Sequence, residues 1–240
     1  MNAIDWNTYA KAYDLLRSIK PYRAMHDAVG AAIKQHHVHG GGFILDAGCG
    51  TGNLLTTLSE HDIPRACMVG IDAAPAMCLA AEHKHGMFGA RIRTTNLDTK
   101  LPFKTGAFSV IACVNALYAV QDPAATLREF ARILHPEGLL IVVTPHAQVN
   151  LGLILKAHCM STREDAYWAR FAEGGAVARQ LLHEAFAQNH FDATLLEILF
   201  STNAAITAST AMHFMSEATL RTYSSAAGLE VTACEKTYAN

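Results

Sequence analysis

Two carboxylates and three glycines carry the first chemistry legible in the chain. Asp46 closes a short apolar run, Phe43 to Leu45, and Gly48, Gly50 and Gly52 follow at alternate positions. Asp72 lies twenty residues beyond Gly52. Glycines at that density let the backbone turn tightly and approach a ligand closely. A helix starting directly after them would present unpaired N–H groups to it. An acid at the tip of the neighbouring strand accepts from both hydroxyls of a ribose, because one carboxylate has several acceptor sites. The constellation predicts a nucleotide-type cofactor at the glycine loop.

The elements that must hold these residues follow from the pattern around them. Leu54, Leu55 and Leu58 recur at helical spacing after the glycines, so the unit is strand, turn, helix. Arg65 to Ile71 is expected as a second strand ending at Asp72, with Pro75 opening the next helix. Ala90 to Thr95 and the apolar Phe108 to Asn115 are expected as the third and fourth strands, and Leu139 to Thr144 as the fifth. A helix over Ala124 to Leu134 lies between the last two. Strand and helix in alternation imply a parallel sheet covered on both faces. Before it, Tyr9, Tyr13 and Leu16, then Met25, Val29 and Ile33, mark two helical stretches separated by Pro21.

The spacing also narrows the cofactor. A dinucleotide fingerprint requires G-x-G-x-x-G beside a pyrophosphate. Here the third residue after Gly50 is Asn53, and Asp46 would oppose a pyrophosphate while favouring a cation. S-adenosylmethionine carries a sulfonium and an ammonium and no phosphate. Leu45-Asp-Ala-Gly-Cys-Gly-Thr-Gly52 resembles the first motif of the class I S-adenosylmethionine-dependent methyltransferases, and Val69 to Met77 resembles their second. Asn96-Leu-Asp-Thr-Lys-Leu-Pro-Phe103 is similar to the adenine-loop phrase D-L-D-x-x-L-P-F. Ala10-Lys-Ala-Tyr-Asp14 matches an opening phrase of the quinone-biosynthesis-type members. The resemblance implies a doubly wound, mostly parallel seven-stranded-type sheet, with N-terminal helices and a helical lid inserted after the fifth strand. It assigns cofactor contacts to Asp46, Gly48, Cys49, Gly50, Asp72, Ala73, Asn96, Leu97 and Asn115. Asp98 is the alternative adenine acceptor, and Tyr13 covers the methionine end. Two departures stand out: Ser109 occupies a position where aspartate is usual, and Tyr118-Ala119 one where two histidines are common.

Four segments follow from this reading: 1–40 as a helical cap, 41–146 as the cofactor-binding core, 147–212 as a substrate lid, and 213–240 as a helix and strand completing the core. Candidates for a base or orienting group are Tyr118 and His146 at strand tips, with His158, Tyr167 and Trp168 in the lid. Residues 191–210 are ambiguous, since Leu195 to Phe200 fits a strand as well. A helix with Ser216 as its cap and Gly228 at its end, then a final strand from Leu229 to Tyr238, are expected.

At 240 residues and 51% apolar, the chain can bury a large core. A net charge of -2 with no basic stripe gives no electrostatic reason for nucleic acid or an anionic membrane. No apolar run reaches membrane-spanning length, and the first residues lack a signal-peptide pattern, so a cytoplasmic protein is expected. Six scattered cysteines read as reduced thiols, and His36, His37 and His39 as a solvated loop with no closed metal set. The expected activity is methyl transfer from S-adenosylmethionine to a small organic acceptor, O- or C-methylation ahead of N-methylation, with a homodimer as the candidate assembly. The product would be S-adenosylhomocysteine. The alternatives are a non-catalytic module binding the same cofactor and an NAD-dependent oxidoreductase.

Overall fold

The computed structural model describes residues 4–147 and 193–235. Five parallel strands form one sheet in the order β3-β2-β1-β4-β5: β1 Ile44–Ala47, β2 Met68–Asp72, β3 Arg91–Thr94, β4 Phe108–Val114 and β5 Leu134–Val143. β1 lies at the centre, and all four of its residues are buried. That is why its residues, Asp46 apart, are apolar and do not alternate with polar ones.

Helices cover both faces. On one side α2 (Lys20–Gly40), α3 (Asn53–Glu60) and α4 (Pro75–His85) follow a short opening turn, α1 (Trp6–Tyr9), and Ile33, Leu55, Leu58 and Met68 are fully buried beneath them. On the other, α5 (Pro123–Ile133), through Leu127 and Phe130, and α7 (Glu217–Ala226) pack over Leu45, Ile71 and Ile111. Local chemistry places the helix starts. Asp122 accepts from the Ala125 N–H ahead of Pro123, and Ser216 Oγ accepts from the Thr219 N–H. α6 (Ala193–Ala208) packs on the opening segment, where Asn203 Nδ2 donates to the Tyr9 hydroxyl at 2.8 Å.

Several boundaries differ from expectation. Leu195 to Phe200 lies in a helix, its apolar residues being too dense for propensity alone to separate the two states. Residues 135–138, between the helix expected to end at Leu134 and the strand expected to begin at Leu139, belong to β5, which enters the sheet early through an irregular register opposite Phe108 and Val110. His36 and His37 sit in the last turns of α2, not in a loop. Residues 229–235, expected to begin a final strand, pair with none of the described strands, so the sheet described has five strands and not seven. The lid candidates His158, Tyr167 and Trp168, and residues 236–240, lie outside the described residues.

Candidate cofactor site

The carboxyl ends of β1 and β2 carry the two acids, and the glycine loop is laced between them. Gly48 and Cys49 both donate their N–H to the Ile71 carbonyl, at 2.8 and 2.9 Å. Gly50 donates to Asp72 Oδ2 at 2.9 Å, while Asp72 Oδ1 accepts from the Ala74 N–H at 2.8 Å. Asp72 therefore holds the loop and the start of α4 together. Burial raises its pKa, and the N–H donors work against that shift. Each oxygen retains a second acceptor site for a hydroxyl.

Asp46 differs in kind. It is 2% exposed, lies opposite Gly70 on β2 and Ala112 on β4, and its Oδ2 has no hydrogen-bond partner among the described residues. Burial, with the Asp72 charge second, pushes its pKa up to about 8. A buried carboxyl without a donor is costly when ionised. A cation brought beside it reverses that balance. The donor set thus fits the cationic end of S-adenosylmethionine.

The three glycines all have positive φ, and each is packed against a named side chain. A Cβ on Gly48 would stand 2.2 Å from the Ala116 Cβ, one on Gly50 3.1 Å from the Tyr13 ring, and one on Gly52 2.8 Å from the His85 ring. Gly48→Ala combines left-handed strain with that collision. It should destabilise the fold by about 3 kcal/mol, read as a lower chemical denaturation midpoint with an unchanged slope.

The Tyr13 ring lies against the glycine loop at Gly50. It meets that of Tyr9 edge to face at 5.2 Å, and the Tyr13 hydroxyl bonds the Tyr22 hydroxyl, which also accepts from Asn53 Nδ2. Asp14 accepts from Thr51 Oγ1 and pairs with Lys84, and Arg17 reaches the Asn53 carbonyl and Glu60. The opening segment is thus strapped across the loop by contacts that no periodicity announces.

The remaining candidates are dispersed in role. Leu97 is buried under the loop, its Cδ1 3.8 Å from the Gly48 Cβ position. Asn96 Oδ1 accepts from the Asp98 N–H and shapes its own loop, while Asp98 Oδ1 accepts from the Gln121 N–H and ties that loop to the one before α5. Ala73 is exposed at the turn after Asp72, and Cys49 is buried with its thiol pKa raised by burial. Asn115 adopts a left-handed conformation, φ 54°, at the tip of β4, its N–H donating to the Val143 carbonyl. Tyr118 is 6% exposed and stacked on Phe214 at 5.6 Å; burial raises its pKa, which leaves a neutral phenol and no phenolate base. His146 bridges to Met215 just past β5. Thr144, which motif matching passed over, carries a buried hydroxyl without a partner among the described residues, two positions before His146. Ser109 donates its hydroxyl to the Phe43 carbonyl, a bond an ionised aspartate could not form. A cleft of about 720 Å³ between Gly41, Phe43, Ser109 and Leu139 opens at the opposite, amino-terminal end of the strands, away from both acids.

Residues 45–142 match the model of a methyltransferase domain. The chain is 34% identical over 118 residues to the demethylmenaquinone methyltransferase of Thermus thermophilus, covering 48% of this chain and 53% of that one. It is 32% identical over 107 residues to the ubiquinone biosynthesis O-methyltransferase of Xanthomonas oryzae, covering 43% of each. The chain spans about half the length of the curated relatives it matches. Among solved structures, a chain of the Haloferax volcanii complex between the Trm112 methyltransferase activator and a methyltransferase superposes with a TM-score of 0.60 at 21% identity, over 97% of this chain and 80% of that one. An S-adenosylmethionine-dependent methyltransferase of Thermotoga maritima gives 0.52 at 18% identity, over 94% and 82%. These two likenesses concern the fold.

Proposed function

We propose, from the match of its α/β core to a methyltransferase domain, that the chain is a class I S-adenosylmethionine-dependent methyltransferase that methylates an oxygen or a carbon of a small aromatic acceptor of the quinone-precursor kind. The observation that carries the reading is Asp46, a buried carboxyl whose Oδ2 has no partner among the described residues, at the foot of a glycine loop tied to a second acid. S-adenosylmethionine supplies an already activated methyl group. Asp46 and the loop backbone would hold its cationic end, Asp72 its ribose, and Asn96 or Asp98 with Leu97 its adenine, with Tyr13 as cover.

The protein's work is then alignment and exclusion of water, which lowers barriers by as much as ~7–11 kcal/mol. Tyr118, its pKa raised by burial, stays a neutral phenol and would not remove a proton. A proton leaving a phenol or activated carbon would go to His146 or to solvent. Thr144 Oγ1 would meet a polar group of the acceptor. Thr144→Val should therefore raise the acceptor KM about 3–10-fold, the worth of one hydrogen bond, with the Kd for S-adenosylhomocysteine unchanged. The acceptor class comes from the two quinone-pathway relatives, and the reading includes a cytoplasmic protein and a homodimer. No helix among the described residues is long and apolar enough to cross a membrane.

Native mass spectrometry with S-adenosylhomocysteine titration, followed by transfer of labelled methyl to demethylated menaquinol and hydroxylated polyprenyl-phenol acceptors, tests the reading. Binding without transfer to any acceptor would favour the non-catalytic module. Stabilisation by NADH and not by S-adenosylhomocysteine would overturn the cofactor.

A further inference from the structure

His85 is the most buried histidine among the described residues, 2% exposed, and it sits at the end of α4, far in sequence from the glycine loop it touches. Its Nε2 lies 3.0 Å from the Gly52 carbonyl and 3.2 Å from Thr56 Oγ1. A carbonyl only accepts, so Nε2 carries the proton. Nδ1 is buried with no partner among the described residues, and a proton there would leave a charge without an acceptor. Burial accordingly lowers the pKa and keeps the ring neutral.

We propose that His85 is a positioning residue for the cofactor, fixing the glycine loop from behind through its Nε2–H bond to the Gly52 carbonyl. The inference rests on the cofactor reading above. Gly52 is the residue that caps α3, with φ 82°, and its lack of a side chain is what admits the ring. The Gly52 N–H donates to the Cys49 carbonyl, and Gly50 between them donates to Asp72. A displacement of Gly52 therefore passes directly into the turn that bears Gly50 and into its register on Asp72. The neighbouring residue of α4 acts on the neighbouring residue of the loop: Lys84 pairs with Asp14, which accepts from Thr51. The last turn of α4 grips residues 51 and 52 from two sides, at a point no ligand atom needs to reach.

The test compares His85→Leu, which keeps bulk and removes the donor, with His85→Gln, whose amide nitrogen reaches the Nε2 position. Loss of one such bond should raise the Kd for S-adenosylhomocysteine about 5–10-fold in His85→Leu, with His85→Gln restored to within about 2-fold. The kcat at saturating cofactor should stay at the wild-type value. A role in stability alone predicts a lower Tm in His85→Leu with an unchanged Kd, and that result overturns the proposal. Should His85→Leu fail to fold, the wild-type ring decides: its ¹⁵N resonances should report the Nε2–H tautomer and shift on saturation with S-adenosylhomocysteine, and resonances unmoved by saturation would refute the assignment. Absence of wild-type binding would instead sink the cofactor reading, and this inference with it, while the tautomer stayed as described.

Discussion

Asp46→Asn should bind S-adenosylhomocysteine more weakly than the wild type and yet unfold at a higher temperature at pH 8. The two effects share one cause. In the ligand-free protein the Asp46 pKa stands at about 8 against 3.8 for an unperturbed carboxyl. The native state therefore retains a proton that the unfolded chain gives up, and stability from this group falls as pH rises from about 4 to about 8. An amide removes that loss. Each ~1 kcal/mol regained raises Tm by about 2–4 °C in a chain of this size. The ammonium of the cofactor acts in the opposite sense, favouring the carboxylate and expelling its proton. Affinity should thus increase between pH 6 and pH 8, with proton release visible as a buffer-dependent binding enthalpy. The amide forfeits a charge-assisted bond, about 1.5–3 kcal/mol or roughly 10- to 150-fold in Kd. Equal affinities of the two proteins at pH 8 would show that no cation meets Asp46.

The second large effect belongs to Asp72. Asp72→Ala should abolish measurable cofactor binding and also cost stability, because it removes the acceptor of both the Gly50 and the Ala74 N–H groups. Each donor left without a partner costs about 1–3 kcal/mol. Asp72→Asn separates the roles. Its single amide oxygen keeps one of the two loop contacts, so the variant should fold with a modestly lower Tm while the Kd for S-adenosylhomocysteine rises about 100-fold, the worth of a charged acceptor to ribose hydroxyls. The measurement is calorimetric titration beside thermal unfolding. A change in Tm without a change in Kd would leave Asp72 a structural tie and remove it from the site.

Histidines show where sequence reasoning reached its limit. His36 and His37 drew attention as a cluster, and they lie on the closing turns of a surface-packed helix. His83 and His85 stand out in the sequence only as two histidines on a later helix, and nothing in their spacing marks either as part of a site. The importance of His85 comes from a contact 33 residues away. Thr144 escaped for a related reason: an unsatisfied buried hydroxyl is a property of its surroundings, not of its motif. The Ser109 departure, by contrast, has a local explanation in a bond only a hydroxyl donor makes.

The sequence by itself determined the order of strand and helix from Ile44 to Val143, the parallel sheet, and the pair of acids flanking a glycine turn. Those features are written in short-range periodicity and in residue types that admit few backbone states. Tertiary structure alone decided that Asp46 Oδ2 has no partner among the described residues while Asp72 is already engaged, that each glycine makes room for a particular ring or methyl group, and that Tyr13, Asp14 and Arg17 strap the amino terminus across the loop. It also decided that α6 is a helix and that residues 229–235 join no described strand. Burial, hydrogen-bond satisfaction and close packing depend on which distant segments arrive at the same place, and no window of local sequence contains that information.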